Sequence, residues 1–281
     1  MSDTGAAPTS SLDGRVAIVT GGGGGIGAGV VRVLAAAGAL VVANDVDEAL
    51  LESTCKDVDA AGGRSVAVVG DVREPVTVAR IVDAALDAGE GRIDVLVNNV
   101  GDYRPATRDF ASSTEEQWRA MYAVNLEHVL RLTHAVLPTM VAQRRGSIVN
   151  NSTVEAFRGI PGHAVYSAFN AGVVAFTRSL AVEVGSQGIR VNAIAPDMAD
   201  TLQTPAEAML RGRDPALLQS WIPVGRFGTA DDYAQVVLFL ASDQSRFVTG
   251  HTIPVDGGTL AASGWYRRAS GKGWSNLPDQ P

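Results

Sequence analysis

Lysine is almost missing from this chain. Its 23 basic residues comprise 21 arginines and two lysines, Lys56 and Lys272. A site built on a lysine ammonium therefore has only those two to draw on. Cysteine is scarcer still, and the lone Cys55 excludes an internal disulfide, which fits a reducing cytoplasm. No apolar run reaches the length of a membrane span, and the N-terminus has no charged-then-apolar signal pattern. The expected location is cytoplasmic, with no membrane partner. Positive charge is not in excess either, because the net charge of −7 argues against nucleic-acid binding. What remains is ordinary for a globular protein, with 46% hydrophobic and 19% charged residues in 281. That length suits one large α/β domain with a sizeable core.

Glycine, by contrast, is concentrated. The stretch Val16-Ala-Ile-Val-Thr-Gly-Gly-Gly-Gly-Gly-Ile-Gly27 opens as a short apolar run, breaks into glycines, and continues as an apolar helix from Ile26 to Ala37. Strand, glycine turn and helix together suit a pyrophosphate. The glycines let the backbone approach it closely, and the free N–H groups and dipole at the helix start favour its charge. Five glycines also suit a flexible linker, but a linker does not sit between a buried strand and an apolar helix. Eighteen residues beyond Gly27 a second apolar run, Leu40–Asn44, ends in Asp45. An acid there accepts hydrogen bonds from both ribose hydroxyls of an adenosine and repels a 2′-phosphate. No Lys or Arg lies between Gly21 and Gly27 or directly after Asp45 to bind that phosphate. The cofactor expected is NAD rather than NADP. The competing role for Asp45 is to cap the helix that follows it.

Strand and helix patterns then alternate without a break in composition. Strands are expected at Val16–Thr20, Leu40–Asn44, Ser65–Val69, Val95–Asn98, Ser147–Asn150, Arg190–Ile194 and near Thr252–Val255. Helices are expected near Ile26–Ala37, Asp47–Ala61, Pro75–Ala88, Thr114–Gln143, Ala164–Val184 and Ala230–Ser242. The alternation predicts an α/β fold, a single-domain Rossmann-type doubly wound parallel sheet with helices on both faces. Ligands of such folds sit outside the carboxyl ends of the strands. Those ends carry Gly70-Asp71-Val72, Asn98-Asn99-Val100-Gly101, Ser152-Thr153 and Ala195-Pro196-Asp197, with Thr201 following. Asp71 can hydrogen-bond an adenine amino group, and the Asn98–Gly101 segment can brace the sheet and pass close to a ribose. Asn125 sits among apolar residues of the long helix, where a buried amide needs partners. Tyr166 stands at the head of a helix, with Asn170 one turn on.

Together these motifs resemble the short-chain dehydrogenase/reductase family, from about Leu12 to about Leu260. Thr20-Gly21-x-x-x-Gly25-Ile26-Gly27 is similar to the family's cofactor turn. Asp71-Val72 is similar to its adenine contact, and Asn98-Asn99-Val100-Gly101 to its Asn-Asn-Ala-Gly. The resemblance implies catalytic roles for Asn125 and Tyr166, and counting back from Tyr166 places the family's catalytic serine at Thr153 rather than Ser152. It implies a contact of Thr201 with the nicotinamide side of the cofactor. It also implies a homotetramer (or a homodimer) with the helices near Thr114–Gln143 and Ala164–Val184 in the interfaces.

Two departures stand out. The family's Tyr-x-x-x-Lys reads Tyr166-Ser-Ala-Phe-Asn170, and its Pro-Gly before the substrate loop reads Pro196-Asp197. Hydride transfer between an alcohol and NAD needs a group to move the hydroxyl proton and donors to steady the oxyanion. Tyr166 can move the proton, while Thr153 or Ser152 holds the oxygen. Asn170, four residues on, shares a helix face with Tyr166 and can reach the ribose without supplying charge. Arg178 is on the order of 18 Å along the same helix. Lys56 belongs to the adenosine side, which leaves Arg158, Lys272 and His163 as substitutes for the missing lysine. Two functions follow. One is an NAD-dependent oxidoreductase on a secondary alcohol or ketone, biased to reduction. The other is a dinucleotide-fold protein with little redox turnover, a binding subunit or non-redox catalyst. Tyr103, Phe110, Phe157 and Trp221 suggest a mostly apolar small-molecule substrate, under a lid at 197–225. No metal site is expected. Residues 1–11 are expected to be disordered. The aromatic tail 261–281 is expected to fold over its own or a neighbouring subunit near a substrate entrance.

Overall fold

The five residues of β1 (Val16–Thr20) are all buried, and they point alternately to two separate cores. Ala17 and Val19 meet one cluster while Val16 and Ile18 meet the other, as the two-residue repeat of a strand requires. A strand buried on both faces belongs in the middle of a parallel sheet, and β1 lies there. The computed structural model describes residues 10–262, 264–268, 270 and 273–275. Residues 1–9 of the segment expected to be disordered, and Lys272, lie outside the described residues.

In chain order β1 is followed by α1 (Gly25–Ala36), β2 (Leu40–Asp45), α2 (Glu48–Ala60), β3 (Arg64–Val69), α3 (Pro75–Ala88) and β4 (Val95–Asn98). Then come α4 (Glu115–Tyr122), α5 (His128–Gln143), β5 (Gly146–Asn151), α6 (Ala164–Val184) and β6 (Ile189–Pro196). Two short helices, α7 (Ala206–Leu210) and α8 (Leu218–Trp221), precede α9 (Ala230–Ala241) and β7 (Thr252–Val255). The seven strands form one parallel sheet in the order β3-β2-β1-β4-β5-β6-β7. Helices α1 and α9 cover one face through Val30, Leu34, Val237 and Leu240. On the other face α3, α5 and α6 pack through Ile81, Leu132, Val136, Leu180 and Val184. The doubly wound parallel sheet is as the alternation of patterns requires.

The chain reverses direction across the sheet between β1 and β4, whose Ala17 and Val95 are paired in register. The crevice outside the carboxyl ends of these strands is where ligands of open α/β sheets bind.

One expected element is wrong in form. The single helix expected over Thr114–Gln143 is two helices joined by a π-helical turn, Ala123–Glu127. A π turn inserts one residue into the helical ladder, and such insertions are frequent at functional sites. Here the inserted turn carries Asn125.

Past β7 the chain forms a small antiparallel hairpin, β8 (Tyr266–Arg267) and β9 (Trp274–Ser275), with Tyr266 opposite Ser275. The hairpin's first strand lies against α8. No helix among the described residues is long and apolar enough to cross a membrane.

Candidate active site

The glycine turn is shaped by what it leaves out. Gly21 and Gly25 have φ of +65° and +52°, a region that disfavours side chains. A Cβ on Gly27 would collide with the Gly21 carbonyl, and one on Gly23 would come within 2.9 Å of the Asp45 carboxylate. Gly24 is the N-cap of α1, with no side-chain cap and no acid in the first turn. An uncapped helix start with unspent N–H groups and no competing carboxylate fits a pyrophosphate. Ile26 sits in that first turn, packed against the core. The cleft before it is lined by Gly23, Gly24, Gly25, Arg32, Thr201 and Leu202. The Thr201 hydroxyl is 3.0 Å from that of Thr204, within reach of the same turn.

Asp45 faces this turn. Its Oδ2 accepts from the Gly23 N–H at 2.8 Å and its Oδ1 from the Asp47 N–H at 3.1 Å. The cap of α2 is Asp47, which accepts from the Leu50 N–H, so Asp45 is free of that role. Arg32, the cation on the cleft wall, is paired with Asp57 at 3.0 Å. The residues present therefore fit an adenosine ribose.

Two expected cofactor contacts are modified. Asp71 is locked by Arg73 in a two-pronged ion pair, at 2.5 Å from Nη2 and 2.9 Å from Nε, which holds its carboxyl below the usual range. An adenine would have to share it. The side chain of Val72 is buried in the core, leaving only its backbone for a ligand. Asn98 is a correction: it is wholly buried, and its amide donates to Thr133 at 3.1 Å and to Asn150 at 2.9 Å. It braces β4 against β5 and α5 and does not reach the crevice. Asn99 points the other way, donating to the carbonyls of Thr20 and Gly21 and so shaping the glycine turn.

The reacting groups converge from β4, β5 and α6. Asn125 donates to the Asp102 carbonyl at 2.8 Å and accepts from the Asp102 N–H at 3.1 Å, so the π turn clips the loop after β4 in place. Gly101 lies close beside it, since a Cβ there would be 3.3 Å from the Asn125 Oδ1. Ser152 is a second correction. Its hydroxyl donates to the Asn170 carbonyl at 3.1 Å, inside the protein. Thr153 is the hydroxyl beside the Tyr166 phenol, and it donates to the Pro196 carbonyl at 3.4 Å. Burial pushes the Tyr166 phenol up to about 12; the bond to Thr153 opposes this, and Glu155, Asp102 and Tyr103 add to it. The rings of Tyr103 and His163 lie 6.4 and 6.2 Å from that of Tyr166.

Asn170 is buried, and its amide donates to the Tyr166 carbonyl at 3.1 Å, within its own helix. Arg158 is not a free cation either. One guanidinium nitrogen bonds Glu155 at 2.9 Å and Asp197 at 2.8 Å, and Asp197 also accepts from Thr259 at 2.5 Å. Lys56 pairs with Glu52 on α2. Phe110 stacks on Trp118 at 5.3 Å instead of joining Tyr166, and Trp221 lies under the Arg213 guanidinium in the lid. Sequence reasoning missed Glu155. The signal was one acid in the run Val154-Glu155-Ala156-Phe157 directly after Thr153.

Comparison with known proteins agrees with this geometry. The family model described as Enoyl-(Acyl carrier protein) reductase matches residues 21–259. The 3-oxoacyl-[acyl-carrier-protein] reductase FabG of Thermotoga maritima is 41% identical over 249 residues, 89% of this chain and 99% of the relative. The (2S)-[(R)-hydroxy(phenyl)methyl]succinyl-CoA dehydrogenase subunit BbsD of Thauera aromatica is 38% identical, over 90% and 99% of the two chains. A solved structure from Beutenbergia cavernae, described as a candidate NAD(P)-dependent gluconate 5-dehydrogenase with NADP bound at low occupancy, is similar with a TM-score of 0.82. It is 35% identical, and the match covers 91% of this chain and 100% of that one. Glycine turn, switch-point crevice, Tyr166–Thr153 pair and these matches agree: the chain belongs to the short-chain dehydrogenase/reductase family of oxidoreductases.

Proposed function

We propose that this protein is an NAD(H)-dependent oxidoreductase of the cytoplasm that interconverts a secondary alcohol and a ketone and favours reduction. The observation that carries this reading is the placement of the Tyr166 phenol beside the Thr153 hydroxyl, within a ring of Tyr103 and His163. Tyr166 and Thr153 lie at the head of α6 and the end of β5, on the sheet edge that also carries the glycine turn. A bound nicotinamide would supply or accept the hydride at the carbonyl carbon. Thr153 holds the substrate oxygen, and Tyr166 gives it a proton in reduction or takes one in oxidation. Gly21, Gly25, Ile26 and Gly27 hold the pyrophosphate, Asp45 the adenosine ribose, and Asp71 and Val72 the adenine. Asn99 shapes the glycine turn, Gly101 and Thr201 lie at the nicotinamide end, and Asn125 fixes the loop beneath it.

Asn170 stands where the family's lysine is expected, so no ammonium assists the phenol. That favours reduction, which uses the protonated Tyr166, over oxidation, which needs its phenolate. The turn-facing carboxylate of Asp45, which does not cap α2, supports NAD, although a similar structure holds NADP. The substrate we propose is a mostly apolar ketone. The names of two relatives point to acyl thioesters with an oxygen function near the thioester, so 3-oxoacyl thioesters belong in the first panel. The exposed apolar side chains Tyr122 at the end of α4, Val141 on α5 and Val182 on α6 support a homotetramer through these helices.

The test is NADH consumption with simple ketones and 3-oxoacyl thioesters, alongside binding of NAD and NADP. Expected are turnover and NAD affinity at least on the order of tenfold the higher, about 1.4 kcal/mol. Tight NAD binding with no turnover on any carbonyl would favour the second reading, a dinucleotide-binding subunit. The uncharged Asn170 is the feature that supports that reading.

A further inference from the structure

The turn that follows Thr153 carries a carboxylate in an unusual setting. Glu155 is 8% exposed, and its backbone N–H donates to the Thr153 hydroxyl, the partner of Tyr166. One carboxylate oxygen accepts from Arg158, and the other is buried with no hydrogen-bond partner. The guanidinium nitrogen that bonds Glu155 also bonds Asp197, the acid in place of glycine after Pro196. Two carboxylates share one guanidinium, leaving one uncompensated negative charge in the wall of the site. Buried carboxylates with an unmet oxygen are costly, so fold stability does not explain this arrangement.

We propose that Glu155 is a positioning residue that keeps Tyr166 in its protonated form and thereby biases the site toward carbonyl reduction, with Asp197 acting through it by competing for Arg158. The inference rests on the oxidoreductase reading above for its consequence, but its physical content concerns the phenol alone. A phenolate at Tyr166 would be a second negative charge beside the one this cluster already carries, and like charges at close range disfavour ionisation. The other groups facing Tyr166 do not reverse the sign. From the loop after β4 come Tyr103 and Asp102, and Asp102 is neutralised by Arg104 at 2.7 Å. From the head of α6 comes the His163 ring, and from β5 the Thr153 hydroxyl. Of the cations on these elements, Arg104 and Arg158 are each bound to carboxylate; Arg108, farther along the loop after β4, is held to Gly162 through its backbone.

The experiment is a titration of phenolate absorbance in the full-length protein, taken as the difference between the protein and its Tyr166→Phe variant. It needs neither substrate nor cofactor, so a protein that turns nothing over still gives an answer. The unmodified Tyr166 should titrate above the ordinary tyrosine value of about 10. In Glu155→Gln the midpoint should fall by about one pH unit. Asp197→Asn, whose amide oxygen still accepts from Thr259, should move it the same way. Alcohol oxidation by either variant at neutral pH should rise several-fold, and the rising limb of its pH profile should shift down with the midpoint. An unmodified midpoint at or below about 10 would overturn the proposal, as would unchanged midpoints in both folded variants. If Glu155→Gln does not fold, Asp197→Asn and the unmodified protein still decide it.

Discussion

Asn170 shows how far one side chain can redirect a site. At four residues past Tyr166 its amide reaches only the Tyr166 carbonyl, so it stabilises the helix and leaves the phenol without a cation. Asn170→Lys should shift the alcohol-oxidation profile toward lower pH and tighten NAD binding several-fold. Both are measured by rate against pH and by dinucleotide titration, and an unchanged profile would mean that another group already serves. His128, three residues beyond Asn125, offers a separate prediction. It is wholly buried, and desolvation lowers its imidazole from its ordinary value to about 4. The unfolded chain therefore takes up a proton near pH 6.5 that the folded one refuses until far lower. Stability should be whole above pH 6.5 and fall as the pH drops toward 4, by roughly 3 kcal/mol over that window. Urea unfolding at pH 7 and pH 4.5 measures it, and His128→Gln should show a shallower loss.

Among the elements, strands and the glycine turn were the most legible. A strand buried on both faces writes itself as an apolar run, and β1 and β4 have the expected limits. The roles of the two asparagines at the end of β4 were harder. Asn98 and Asn99 look equivalent in sequence, but neighbouring strand residues point to opposite faces. One enters the core toward Thr133 and Asn150; the other turns to the glycines. The π turn was invisible because one inserted residue scarcely disturbs a 3.6-residue apolar repeat. Only the buried amide of Asn125 hinted at it. Similarly, the partners of Arg158 come from the turn after β5 and the end of β6, so sequence distance concealed the ion cluster. The start of α1 yields a sharp prediction. Gly27→Ala places a methyl against the Gly21 carbonyl, so the turn must open. It should destabilise the protein by about 1–3 kcal/mol and weaken NAD binding more than tenfold. Equal affinity in the variant would mean the cofactor does not lie over this turn.

For the whole molecule, the question is what the residues past β7 add to a domain that already has its sheet and both cores. Among the described residues of the tail, β8 and β9 form an antiparallel hairpin whose first strand lies against α8. Helix α8 lies in the 197–225 segment proposed as a lid: Leu218 packs with Ile222 and Phe227 in a small apolar cluster that also takes in Met198, Met209 and Trp221. That cluster is separate from the two cores of the sheet, so the lid has little apolar burial to hold it down. Gln203, at its start, reaches the Gly101 carbonyl at 3.4 Å, and Met198 follows the Asp197 that Arg158 binds. These two contacts tie the proposed lid to the loop after β4 and to Arg158, while the first strand of the hairpin lies against its α8. Deleting Ala262 to Pro281 should leave the sheet domain folded, because none of its strand pairings involves the tail. It should raise the Michaelis constant several-fold through a looser lid, or lower the assembly's mass if the tail also meets a neighbouring subunit. Steady-state kinetics and light scattering on the truncated protein read the two effects. A truncated protein with both unchanged would show that the lid closes without the hairpin.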